Sequence, residues 1–324
     1  MWGFALRRLL WSVPLLLLTS LFVFVIVVHA LDPLADMRVD PDVSKEVVEA
    51  RSRTLGLDRP VLARYGTWVR NAVQGDLGNT LGGRNVRDLV SERLVVTMRM
   101  VTAGLAIALF GSLVVGCLSA LRPRSKLDTV LTVLGMGLLS VPVFWLGGVL
   151  KEVAIRVNQL TGRRIVSTIG QADPNLSGGL LERWADYASH LVLPTIALAT
   201  VLVAGWSRFV RSSMIEELPK EYMDVARVKG LSPAGVVVRH GLRNALVPFT
   251  GAAAVDFGQV LGGAVVLEQV YGWQGMGRLL LDGVLSADTN VVLAWLLVTA
   301  VLVLVFNLLA DVAVARLDPR SRLG

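Results

Sequence analysis

Several stretches of about 20 residues contain no charged side chain, and about 20 residues is the length an α-helix needs to cross the hydrocarbon core of a bilayer. In lipid every backbone amide and carbonyl must be bonded within the protein, which leaves only helices and closed barrels. Barrel strands alternate apolar and polar residues, whereas these stretches are apolar on all sides. The expected fold class is therefore an all-α polytopic membrane protein with six transmembrane helices, near 9–31, 101–121, 129–150, 187–207, 245–267 and 291–310. Composition agrees, with 54% of the 324 residues hydrophobic and 18% charged, where soluble domains carry about 25% charged residues. This excludes an ordinary soluble enzyme and a disordered chain. The first stretch follows Arg7 and Arg8 as a secretion signal would, but its apolar core is longer than the roughly 7–15 residues of a signal. A retained helix is expected. Cys117 is the single cysteine, and His29, His190 and His240 lie far apart in sequence, so neither a disulfide framework nor a cysteine or histidine metal site is expected.

The formal charge of +7 raises nucleic acid as a partner, but the basic residues are distributed as a membrane protein distributes them. Fifteen lie near the termini and in the connections 122–128 and 208–244, together with seven acids, a net of +8 on one side. Short connections rich in Lys and Arg stay in the cytoplasm, so both termini are expected there and nucleic acid is not expected. The chain then divides into 1–31, an N-terminus and first helix; 32–96, an outer subdomain; 97–312, the transmembrane core; and 313–324, a cytoplasmic tail. Within the outer subdomain, 43–53 and 60–73 read as short amphipathic helices, the second with Leu62, Tyr65, Val69 and Val73 at helical spacing, and residues 75–78 read as a turn. Pro142 and Pro194 are expected to kink spans three and four.

The inner connection 219–244 is the most informative segment. Pro219 suits a first helical position. Glu221 and Asp224 then sit where the helix dipole favours anions, and Arg227 and Lys229 where it favours cations. Gly230 suits a helix stop, and Ser232 with Pro233 starts a second helix. The result is a helix–glycine–helix hairpin whose apolar patch is Tyr222, Val225, Ala226 and Val228. The same amphipathicity fits docking into a groove of a soluble partner or lying on lipid headgroups.

Residues 224–230, Asp-Val-Ala-Arg-Val-Lys-Gly, resemble the Glu-Ala-Ala-x-x-x-Gly loop of ABC importer permeases. The wider run 221–231, followed by Arg239-His240-Gly241-Leu242-Arg243-Asn244-Ala245-Leu246-Val247-Pro248, is similar to the dipeptide/oligopeptide branch. So are Leu55-Gly56-Leu57-Asp58-Arg59-Pro60, Gly75-Asp76-Leu77-Gly78, Gly263–Glu268 and Tyr271–Arg278. The resemblance covers nearly the whole chain, and the long outer region resembles the first of the two permease subunits. Asp224 and Val225 depart from the usual glutamate and alanine, Arg243 stands where the general motif has proline, and Gln274 where this branch often has proline. The resemblance implies a type I importer permease fold in a bacterial cytoplasmic membrane. It implies a coupling role for Glu221, Tyr222, Asp224, Val225, Ala226, Arg227, Lys229, Gly230 and Leu231 against a separate ATPase. It also implies a second permease subunit in a heterodimer, two ATPase subunits or one fused ATPase, and an extracytoplasmic substrate-binding protein. The expected solute is a dipeptide or oligopeptide, with a metal chelate or glycoside as the alternative. The chain has no Gly-Lys dipeptide, which a P-loop requires, so the chain itself is not expected to be an enzyme. No cofactor is expected in it; ATP and Mg belong to the partner subunits.

Among the remaining residues, Asp256 lies within span five, where a charge costs roughly 2.5–3.5 kcal/mol and must face protein or water. It is either a translocation-pathway carboxylate or the partner of a polar group on another helix. Glu268, Trp273 and Arg278 are expected at the outer mouth as a gate or docking surface, with membrane anchoring as the plain alternative for Trp273. Arg163 and Arg164 either meet the binding protein or are simply solvated. An ion-coupled secondary transporter is the competing class. It usually carries several intramembrane ionisable groups and paired interrupted helices, whereas this sequence has one such group and no evident inverted repeat. A non-conducting membrane scaffold is a third reading, which differs in denying water access to Asp256.

Overall fold

The computed structural model describes residues 2–317; the part of the expected tail beyond 317, with Arg320 and Arg322, lies outside the described residues. Among these residues the fold is helical, without a strand. The helices are α1 (Trp2–Ala30), α2 (Ala35–Val39), α3 (Lys45–Thr54), α4 (Val61–Val73), α5 (Val86–Leu121), α6 (Lys126–Leu139), α7 (Val143–Thr161), α8 (Leu180–Glu217), α9 (Glu221–Val228) and α10 (Pro233–Val236). A π-helical turn (Val237–Gly241) leads into α11 (Leu242–Tyr271), α12 (Met276–Leu285) and α13 (Thr289–Leu317). Among the described residues five helices are long and apolar enough to cross a membrane, and a bent pair makes six if it counts as one span.

That pair corrects the third span. The sequence reads as one crossing at 129–150, but α6 and α7 meet at 103° across a short break. Pro142 is the N-cap of α7. Its ring blocks helical continuation and its nitrogen has no hydrogen to donate, so the chain turns there instead of merely kinking. Pro194 lies inside α8, which remains one helix around it.

The chain forms two compact units, one centred on Thr97–Trp273 and the other formed by Leu9–Val96 with Gln274–Leu302. In the first, α5 approaches α8 through glycines. A Cβ on Gly116 would lie 2.6 Å from Val210 Cβ and 2.8 Å from the Ser207 carbonyl oxygen, so only glycine permits this spacing. Small residues are the means by which membrane helices pack where lipid removes the hydrophobic drive. Trp206, Val210, Met214, Ala245 and Phe249 form the core between α8 and α11. At one end of α8, Arg211 donates to both Asp128 oxygens, from Nε at 2.7 Å and from Nη2 at 2.8 Å. Ser119 Oγ and the Arg124 amide also donate to this buried carboxylate. Arg211 is thus committed to a clamp and lies on α8, which extends ten residues past the expected end of span four.

In the second unit, Phe24 packs edge-on against Tyr65 with ring centroids 5.5 Å apart, and Trp68 lies 5.8 Å away. The inward face of α4 is therefore Val61, Tyr65 and Trp68, each partly buried. Leu62 and Val73 of the expected stripe are exposed. The turn at 75–78 is present, with Asp76 Oδ1 accepting from the Gly78 amide at 2.9 Å. Val86 and Val90 pack with Met276, Leu279, Val291 and Ala294. Span two thus continues as helix well before residue 101, through charged residues that end the hydropathy signal but not the helix.

Candidate functional site: the inner hairpin and the outer loop

The hairpin is present with altered boundaries. Leu218 caps α8 and Lys220 caps α9, so Pro219 ends α8 instead of opening α9. Gly230 has φ +83°, the left-handed conformation a side chain resists, and it ends α9. Ser232 Oγ accepts from the Gly235 amide at 3.1 Å and Pro233 follows at the first helical position, as the sequence requires. The second helix does not stop: α10 and the π-helical turn lead directly into α11.

Burial divides the expected apolar patch. Met223, Ala226 and Val236 form the hairpin's own core, with Leu218, Tyr222 and Leu231 partly buried around them. Ala226 is 4% exposed, so it builds the hairpin and is not part of its outer surface. Glu221, Asp224, Arg227, Lys229 and Gly230 are exposed, as are Val225 at 53% and Val228 at 88%. Arg227 pairs with Asp224 at 2.6 Å.

Three contacts tie this face to the long helices. Tyr222 Oη donates to Glu217 at the end of α8 and accepts from Asn244 Nδ2 on α11 at 2.9 Å. Lys220 Nζ reaches Glu217 at 2.6 Å. A Cβ at Gly241 would lie 3.2 Å from Met223 and 3.3 Å from Met214, so α9, α8 and the π-helical turn meet without a gap. Burial first, and then the Glu217 carboxylate, raise the Tyr222 phenol above its usual pKa. α9 is thus held to α8 and α11 by hydrogen bonds and packed side chains.

The outer candidates behave differently from the expectation. Glu268 is 0% exposed and accepts from Thr97 Oγ1; it is an interior carboxylate and not an exposed gate or docking group. Trp273 is also buried, which removes both its docking and its anchoring reading. Arg278 is exposed and pairs with Asp282 at 2.9 Å. Arg163 is exposed on the loop after α7. Arg164 is occupied: it pairs with Asp173 at 2.8 Å, donates to Ser167 at 3.1 Å and reaches His190 Nε2 at 3.0 Å. A guanidinium only donates, so Nε2 accepts and Nδ1 donates to the Asp186 carbonyl at 2.8 Å. The Asn175 amide, and then Arg164, hold the Asp173 carboxyl below its usual pKa. Asp173, Ser167 and His190 are not linked to Arg164 by sequence reading; His190 lies 26 residues from Arg164, beyond any local spacing rule.

The description "Binding-protein-dependent transport system inner membrane component" matches residues 112–323, and the corresponding N-terminal description matches residues 1–91. The chain belongs to this permease family. It is 36% identical over 319 residues to the oligopeptide transport system permease protein OppB of Mycobacterium tuberculosis (strain ATCC 25618 / H37Rv), covering 98% of each chain. It is 35% identical over 320 residues to the oligopeptide transport system permease protein AppB of Bacillus subtilis (strain 168), again over 98% of each. To the glutathione transport system permease protein GsiC of Escherichia coli (strain K12) it is 32% identical over 326 residues, with 99% of each covered. Among solved structures, an inward-facing MetNI methionine ABC transporter matches with a TM-score of 0.54 at 18% identity, over 71% of this chain and 96% of that one. That likeness shows the fold. The chain is a multi-pass membrane component of an ABC importer.

Within the permease core, Asp256 has a specific partner. Trp206 Nε1 donates to its Oδ2 at 2.7 Å, and Trp206 is itself buried edge-on against Phe249 with ring centroids 5.6 Å apart. The indole satisfies part of the cost of the intramembrane charge and links α8 to α11, the arrangement expected of a helix-packing carboxylate. Among the described residues no group of three or more His, Cys, Asp or Glu side chains is placed to hold a metal.

Proposed function

We propose that this permease forms half of the translocation pathway of a peptide importer and receives the power stroke of a separate ATPase on the exposed face of α9. The observation that carries the proposal is the combination of a protruding, internally tied hairpin with an exposed face of Glu221, Asp224, Val225, Arg227 and Val228. An exposed apolar residue flanked by charges suits a groove on a soluble partner, and the staples to α8 and α11 favour transmission over passive resting on lipid. The peptide solute is supported by relatives named for oligopeptide and glutathione transport. The remaining partners are a second permease subunit, ATPase subunits carrying ATP and Mg, and an external binding protein. The concentration of Lys and Arg in the short connections supports cytoplasmic termini and a cytoplasmic hairpin.

In this mechanism ATP-driven closure of the motor moves α9, and α8 and α11 follow. The hairpin must bind the motor's two states with different affinity, since equal affinity shifts no equilibrium. Asp256 serves helix packing in this reading. A pull-down of the ATPase with a Val228→Asp permease tests the docking: the substitution adds charge on a side chain with no internal role. Loss of ATPase binding with normal permease expression supports the proposal, and undiminished binding and uptake contradict it.

A further inference from the structure

A cavity of about 790 Å³ opens beside the hairpin, between the starting residues of α11 and the end of α13. Its polar wall carries Arg239, His240 and Arg243, and its apolar part is Val247, Pro248 and Leu317. Glu217, Lys220 and Tyr222 also line it, and the Glu217 carboxylate is already engaged by Lys220 and Tyr222. Arg239, His240 and Arg243 have no side-chain hydrogen bond or ion pair among the described residues. Two of them, Arg239 and His240, lie on the π-helical turn Val237–Gly241, a distortion frequent at functional sites. Arg243 stands one turn further along, on α11.

We propose that this cavity binds the headgroup of an anionic phospholipid. The two guanidiniums supply the charge-assisted donors a phosphodiester requires. Val247 and Pro248 lie at the start of the expected fifth span, the level at which a lipid's glycerol and first acyl carbons sit. An acidic segment of a soluble protein would use the cations but would have no use for that apolar floor. Basic pockets between transmembrane helices on the cytoplasmic side hold such headgroups, and the proposal rests on the cytoplasmic placement of the hairpin. Its consequence is that an anionic leaflet braces the π-helical turn through which α9 joins α11.

The test uses the intact transporter in nanodiscs of phosphatidylcholine with or without phosphatidylglycerol. The readouts are phosphatidylglycerol retained after detergent washing, measured by native mass spectrometry, and the unfolding temperature. The wild type retains phosphatidylglycerol and unfolds at a higher temperature with it. Arg239→Gln and Arg243→Gln each lower retention about fivefold, the factor equivalent to about 1 kcal/mol per cation at a membrane surface, while Arg239→Lys and Arg243→Lys lose less. Arg316→Gln, a cation near the end of α13 outside the cavity, leaves retention unchanged. Equal loss in Arg316→Gln would show diffuse attraction and overturn the site. Full reproduction of the thermal shift by glycerol 3-phosphate would assign it to a soluble anion. Retention seen only without the ATPase would assign the cavity to a protein partner. Both of these results overturn the proposal.

Discussion

Tyr222→Phe isolates the staple between the hairpin and the long helices. The ring remains, so the packing of α9 around Met223, Ala226 and Val236 is preserved. The phenol's bond to the Glu217 carboxylate is lost, and Asn244 Nδ2 loses its acceptor. A hydrogen bond to a charged group contributes about 1.5–3 kcal/mol. Tyr222 is partly buried, which places the loss at about 1.5 kcal/mol, roughly a tenfold rise in the population with α9 released from α8. The assays are hydrogen exchange across 219–231 in the purified complex and the ratio of solute imported to ATP hydrolysed in proteoliposomes. Faster exchange in that segment with a lower transport-to-hydrolysis ratio is expected, while ATPase association persists. Because the folded phenol titrates above its usual pKa of 10, the staple is intact below pH 10. It is lost only as pH rises through the elevated value. Unchanged exchange and an unchanged ratio would refute the lever argument, since α9 would then be held by packing alone.

Other regions give independent tests. Gly116→Val forces α5 away from α8, because even its Cβ meets Val210 and the Ser207 carbonyl; an overpacking cost of about 1–3 kcal/mol lowers the unfolding temperature. Gly137→Val, where a Cβ meets nothing within 4 Å, does not. Asp256→Asn keeps an oxygen to accept from Trp206 and retains uptake of a cationic peptide within about twofold, whereas Asp256→Leu leaves the indole unpaired at about 1–3 kcal/mol. A severe transport defect in Asp256→Asn, with normal stability, would make this residue a pathway carboxylate. In the outer loop, the depressed Asp173 pKa means its contribution is present above the pKa of a free carboxyl and fades as pH falls through the folded value. Proteolysis at Arg164 accelerates on acidification in the wild type, and Asp173→Asn shows the fast rate already at neutral pH.

The five long apolar spans, the helices α3 and α4 and the hairpin turn are legible because each rests on local chemistry: a long apolar run, a helical period, a glycine followed by serine and proline. What was not legible rests on contacts distant in sequence. Asp128 and Arg211 are 83 residues apart, and each alone reads as an ordinary cytoplasmic charge. A charge and an indole near a span end read as a gate or docking surface at the outer mouth, yet helix packing encloses Glu268 and Trp273. The helix α12 is 10 residues long, too short to register between two spans. The turn at Pro142 was visible as a proline, but its 103° size depends on how α6 and α7 pack. In the hairpin, the inward Ala226 and outward Val228 are separated only by the side on which Leu218, Leu231 and Val236 pack against α9.

The central claim is that the outer face of α9 touches a nucleotide-hydrolysing subunit and moves with it. A Val228→Cys permease in a Cys117→Ser background, reacted with a short bifunctional thiol–amine crosslinker in membranes, tests it directly. The account predicts a covalent adduct with the ATPase whose yield changes between nucleotide-free and ATP-bound complexes. No adduct in either state, in a complex that still imports solute, would contradict it.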